Sequence, residues 1–157
     1  MIMGSTSSPL DPDLEACYRT TVFHYIDRNG VRHLARPTAI PPPHPPRWDL
    51  PTSFYVVTAC NPESVRHSSA ENAAANDRLC RVLQELGTVF RPLDAASPDD
   101  EWREPSFAVW GTTADVLTPL IRQFGQAAFF FVDAGRRGLC PGTRRVRVAP
   151  AEWLVVR

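Results

Sequence analysis

The chain has no lysine; all 17 of its basic residues are arginines. That absence excludes a Schiff-base lysine and the lysine of a phosphate-binding P-loop. Neither GxGxxG nor GxxxxGK occurs, so no glycine-rich phosphate cradle is expected. The histidines, His24, His33, His44 and His67, form no HxxxH or HExxH pattern. No metal site and no cofactor follow from them. No cysteine falls in a CxxC pair, and Met1–Pro9 lacks a secretory hydrophobic region. Cys17, Cys60, Cys80 and Cys140 therefore read as free thiols of a cytoplasmic protein. The longest apolar run, Ala127–Val132, is too short to span a membrane and reads as a strand.

A surplus of one charge is lacking too. The 17 basic residues face 17 acidic ones, which removes any global pull toward nucleic acid or anionic lipid. The distribution is uneven: Ala134–Arg157 holds six arginines against the single Glu152. This stretch reads as solvated surface in preference to a site for an acidic partner.

What is present suffices for one domain. A chain of 157 residues buries about two thirds of its unfolded surface, so it needs neither metal nor disulfide to fold. Residues 1–9 read as a disordered tail and 10–157 as a single α+β domain. Within it, 10–40 carry a short helix (Asp11–Arg19) and a hairpin, 41–51 a proline-rich connector, 52–140 the core, and 141–157 an extension. The hairpin signal is Asn29-Gly30 between two extended runs, which predicts a type I′ turn and sets His33 opposite Ile26, with His24 diagonal to it. The connector contains PPPHPP, a polyproline stretch.

The core pattern is regular. Ser53–Cys60 is a strand, apolar on both faces. Ser68-Ser69-Ala70-Glu71 is a capping box opening a helix at Ser69, and Gly87 closes it. Thr88–Leu93 is a strand, Ala95–Arg103 a polar loop, Ser106–Trp110 a strand. Thr112 or Thr113 caps a second helix ending at Gly125, with Pro119 expected to kink or shorten it. Ala127–Asp133 is a strand; Arg144–Val148 and Trp153–Val156 are weaker ones. The order β-α-β-β-α-β predicts a ferredoxin-like split core with an antiparallel sheet. Its best strands are apolar on both faces, so the face without helices must also be covered. The hairpin, the C-terminal segment or a homodimer contact would do this.

That topology gathers four polar segments at one end of the sheet: Asn61-Pro62-Glu63-Ser64, the first helical turns with Glu71, Asn72 and Asn76, Glu104-Pro105-Ser106, and Gly125-Gln126. The inward stripe of the first helix (Leu79, Val82, Leu83, Leu86) runs back onto Asn72 and Asn76. Asparagine is a poor helix former and a costly core residue, so both asparagines need polar partners. Each residue has a local explanation: Glu71 completes the capping box, Asn61 starts a turn, and the asparagines satisfy buried carbonyls. Their concentration at one sheet end also fits a ligand site. Asn61, Ser64, Asn72, Asn76, Ser106 and Gln126 would hydrogen-bond the ligand, and Glu104 and Glu71 would be its charged anchor or base.

The segments TACNPES, AENAAANDRL, EPSFAVWG and FGQAAFFF, in this order, resemble an uncharacterised bacterial family, domain of unknown function 3293. YRTT at Tyr18–Thr21 is similar to the family's opening segment, and the likeness covers most of Leu14–Asp133. The family carries no known activity, so the resemblance implies no reaction. The expected function is the binding of a small polar ligand, with nucleotide-like compounds among the candidates. The alternative is a protein-interaction module whose polar cluster is structural. RNA-recognition motifs stack bases on exposed sheet aromatics, whereas the aromatics here read as core, which disfavours nucleic acid.

Overall fold

The computed structural model describes residues 20–35 and 48–133, the backbone of 147–155, and the single positions Asp13, Ala16 and Cys17. Its elements are β1 (Val22–Ile26), β2 (Arg32–Ala35), β3 (Ser53–Val57), α1 (Ser69–Glu85), β4 (Val89–Ala96), β5 (Arg103–Trp110), α2 (Ala114–Gln123), β6 (Ala128–Asp133) and β7 (Arg147–Val155). The protein is α+β. Seven strands form one sheet in the order β2-β1-β4-β5-β3-β6-β7, and every pairing is antiparallel. The hairpin β1-β2 widens the sheet beside β4, and β7 widens it beside β6. Asp13, Ala16, Cys17 and Thr20 are helical. The tail 1–9, the PPPHPP stretch and Cys140 lie outside the described residues. No helix among those residues is long and apolar enough to cross a membrane.

The helices start and stop where their sequence signals stand. Ser68 and Glu71 form a reciprocal capping box at α1, and Gly87, at φ +68°, follows its last turn. Thr113 precedes α2, which runs on through Pro119. The amide that proline lacks would have reached the carbonyl of exposed Asp115, which water can satisfy instead. Leu86 belongs to no buried stripe: it is exposed, and the inward face of α1 ends at Leu83.

Three expectations need correction. First, the hairpin turn is not type I′. Only Gly30 has a positive φ, and Gly30 N–H donates to Asp27 O while Asp27 N–H donates to Val31 O. The Asp27 carboxylate takes the N–H groups of Asn29 and Val31, which favours this three-residue loop. Second, the register therefore shifts by one. His33 faces Tyr25, and His24 faces Leu34 on the opposite side of the ribbon, so the two histidines share no face. Third, the polar loop is shorter than 95–103. β4 continues to Ala96 and β5 begins at Arg103, because Ala95 and Ala96 are buried and Arg103 bridges back to Asp94 (3.0 Å). Pro92 is tolerated in β4 because β1 pairs only with Asp94–Ala96, leaving an open edge beside it.

The sheet separates two clusters. Under the helices, Val57, Val109 and Phe129 meet Leu79 and Leu83 of α1 and Leu117 and Ile121 of α2. On the other face Phe23, Tyr25, Phe54, Val56, Ala108 and Val132 cluster with Leu50, Trp48 and Phe130. This second face is covered because the sheet curls. β1 and β6 are four strand steps apart, about 19 Å in a flat sheet at roughly 4.8 Å per step. Yet the rings of Phe23 and Phe130 lie edge-on at 5.1 Å. Trp48 closes the curl, 5.7 Å from Phe54 and 6.4 Å from Tyr25. The end of the connector is thus core, clasped by Asp49, which accepts from the Tyr25 hydroxyl and from Arg28.

Candidate functional site

The site begins where a ladder ends. β3 and β5 pair as far as Val57 opposite Phe107. Past that point the strands part, and Asn76 bridges the groups left unpaired. Ala59 N–H donates to its amide oxygen (2.8 Å), and its amide nitrogen donates to Pro105 O (2.7 Å). Asn76 is only 7% exposed, so both bonds replace ladder bonds inside the core. One turn earlier, Asn72 accepts from Asn61 N–H (2.8 Å) and donates to the Asn61 side-chain oxygen (3.0 Å). That oxygen also takes His67 N–H (2.9 Å), and the Asn61 amide nitrogen donates to Glu104 (2.7 Å). Gln126 donates to Cys60 O (2.7 Å). Asn61, Asn72, Asn76, Glu104 and Gln126, from four separate segments, are thereby brought together.

The network holds a contorted loop. Asn61, Glu63 and Ser64 all have left-handed backbone (φ 48°, 58° and 58°) around a single 3-10 turn, Pro62–Ser64. Asparagine tolerates that region; Glu63 and Ser64 do so at a cost on the order of 1–3 kcal/mol each. Glu63 N–H anchors the loop on Gly125 O (2.7 Å). A Cβ on Gly125, itself at φ +68°, would stand 2.8 Å from the Pro62 Cβ, so only glycine admits this approach.

Beside the loop lies a cavity of about 810 Å³. Its floor comes from the concave face: Val56 of β3, Ala95 of β4, Ser106 of β5, and Ala128 and Phe130 of β6 all line it. Small residues at Ala95, Ser106 and Ala128 leave the volume that larger ones would fill. Asn61, Ser64, Asn72, Glu104 and Gln126 also line it, with Arg66, His67 and Arg103. Asn76 sits behind the wall. Glu71 faces solvent, bonded to Ser68, whose hydroxyl and N–H hold its carboxyl below the usual range. No carboxylate pair lines the cavity with Glu71 as a member.

Glu104 is the chemically distinctive group. It is half-buried, and burial pushes its carboxyl above the ordinary range, with the Asn61 hydrogen bond pulling only partly the other way. Asn61 is its one side-chain hydrogen-bond partner among the described residues. Such a carboxyl holds its proton more readily than an exposed one and stands ready for a donor or a base role. The buried Cys60 thiol is pushed up by desolvation, with the Glu104 charge adding to it, so it is a poor nucleophile. Arg103 is committed to Asp94 and Asp100 (3.0 and 2.9 Å). No cluster of three metal-ligating side chains occurs among the described residues.

Sequence reasoning did not find Thr58, Ala95, Ala128 and Phe130. Thr58 donates to Pro105 O (2.9 Å) and accepts Cys60 N–H (3.0 Å), helping Asn76 to close the ladder's end. The available signal was one small residue on each of β4, β5 and β6 (Ala95, Ser106 and Ala128), meaningful only once the fold sets those positions around one hollow.

Residues 57–129 match the profile of a family described as protein of unknown function (DUF3293). The match takes in a little under half of the chain. No curated protein and no solved structure matches the chain. The DUF3293 segment runs from the end of β3 to the start of β6, so it contains the whole network from Asn61 to Gln126. The hairpin and β7 fall outside it.

Proposed function

We propose that this DUF3293 protein binds a small polar ligand in the concave-face cavity, with Glu104 as the anchoring group. The observation that carries the reading is a half-buried carboxylate with one neutral partner, opening on about 810 Å³ of space. A purely architectural carboxylate would be paired or exposed. Ser64, Ser106 and Gln126 would meet the ligand with it. Asn61 would steer Glu104, and Asn72 and Asn76 would hold the wall. Nucleotide-like compounds remain the first candidates, because a planar polar body suits an apolar floor with polar edges. The alternative, an interaction module with a structural cluster, is favoured by the way Asn61 and Asn72 satisfy one another and Asn76 satisfies Ala59 N–H and Pro105 O. It accounts for them and leaves Glu104 and the cavity without a role.

We further read the order β4-β5-β3-β6, with α1 and α2 on one face, as a ferredoxin-like split β-α-β core extended at both edges. Free thiols at Cys17, Cys60 and Cys80 support a cytoplasmic setting.

A thermal-shift screen of nucleotides, nucleosides, sugars and amino acids tests the binding. The wild type should show hits that Ala95→Leu, which fills the floor, and Glu104→Gln both lose while remaining folded by circular dichroism. A screen without hits, or hits that survive in both variants, would favour the interaction module.

A further inference from the structure

Around Glu104, the hydrogen-bonding positions left unused by Thr58, Ser106 and Gln126 are all acceptors. The Ser106 hydroxyl donates to Glu104 O (3.1 Å) and the Thr58 hydroxyl to Pro105 O (2.9 Å), so each has only lone pairs left to offer. Gln126 has its amide nitrogen on Cys60 O (2.7 Å) and a second contact to Phe124 O (3.5 Å). Two carbonyl acceptors fix that orientation, and the amide oxygen keeps no donor among the described residues. Glu104 is itself an acceptor with spare capacity once its single Asn61 bond is made. The floor thus offers acceptors from three side chains and a carboxylate, while the donors of Ser64, Arg66, His67 and Trp102 lie elsewhere in the lining.

Neither arginine that lines the cavity among the described residues answers that set. Arg103 lines the cavity but is held by Asp94 and Asp100. Arg66 also lines it but is exposed. Burial and Asn61 are the influences acting on the Glu104 carboxyl, and neither arginine is among them. A carboxylate surrounded by acceptors and apolar wall is stabilised most by a donor-rich positive group.

Resting on the binding function proposed above, we propose that the ligand's buried end is a cationic, N–H-rich head seated against Glu104 and Gln126. An amidinium, guanidinium or primary ammonium has this chemistry. The apolar body that follows it would lie along Val56, Ala128 and Phe130, all part of the lining. Anionic ends would stay outside, on the side of Arg66.

Three probes of one shape and different heads test this: benzamidine, benzamide and benzoate, titrated calorimetrically into the full chain and into Glu104→Gln. The expected result is benzamidine binding about tenfold or more tighter than benzamide, with benzoate weakest, and a preference that collapses in Glu104→Gln. Equal binding of benzamidine and benzamide, or a preference unchanged in the variant, would overturn the cationic head and leave the cavity standing. Absence of binding by all three at millimolar concentration would overturn both the head and the site.

Discussion

The two faces of this sheet are built by opposite rules. Under the helices large side chains close the space: Leu79, Leu83, Leu117 and Ile121 have no exposure at all. On the concave face the same strands set large residues, such as Phe54, Val56 and Phe130, beside the small Ala95, Ser106 and Ala128. The large residues there meet across the curl, as Phe23 meets Phe130, and the small ones leave a hollow. The contrast teaches that the helical face supplies stability and the concave face supplies room. One network of amides, centred on Asn61, Asn72 and Asn76, fastens the second to the first.

The largest effect should come from breaking the packed face. Leu79→Ala is expected to cost about 2–5 kcal/mol in a urea denaturation, since it opens a cavity in a region with no slack. A loss below about 1 kcal/mol would mean that this face is not the tighter one. Asn76→Ala, at the junction of the faces, should cost roughly 1–3 kcal/mol by stranding Ala59 N–H and Pro105 O. If Asn76→Ala kept full stability and lost only ligand binding, the residue would belong to the site and not to its frame.

The smallest effect should be opposite in sign. The folded Glu104 carboxyl titrates above its unfolded value, so between those two values the native state holds more protons than the unfolded state. Stability then declines from the unfolded pKa until the folded pKa has been passed. Glu104→Gln removes the group and can still accept the Asn61 amide. Thermal melts between pH 4 and 7.5 should show the variant level with wild type in acid and slightly more stable near neutrality. A variant less stable at neutral pH would show that the ionised carboxylate supports the fold.

Much of this was written in local sequence. The Ser68–Glu71 box fixed where α1 starts, and strand-helix alternation was enough to bring Asn61, Glu104 and Gln126 to one sheet end, because chain direction follows from element order. Where the signal was local but ambiguous, errors followed. Asn29-Gly30 is shared by two turn types, and the Asp27 side chain chose between them. DAAS, at Asp94–Ser97, reads as a loop, yet its alanines are buried by a β-hairpin whose pairing lies in the next strand. The curl was not legible at all. It depends on contacts such as Phe23 with Phe130, more than a hundred positions apart, and the cavity exists only because of it.

The most direct measurement is backbone amide chemical-shift mapping by NMR as benzamidine is titrated into the full chain. The account predicts shifts clustered at Thr58–Asn61, Glu104 and Ser106, and Gln126–Phe130, with α1 beyond Leu79 and the β1-β2 turn unmoved. Shifts confined to the helical face or to the hairpin, with the concave rim silent, would contradict it.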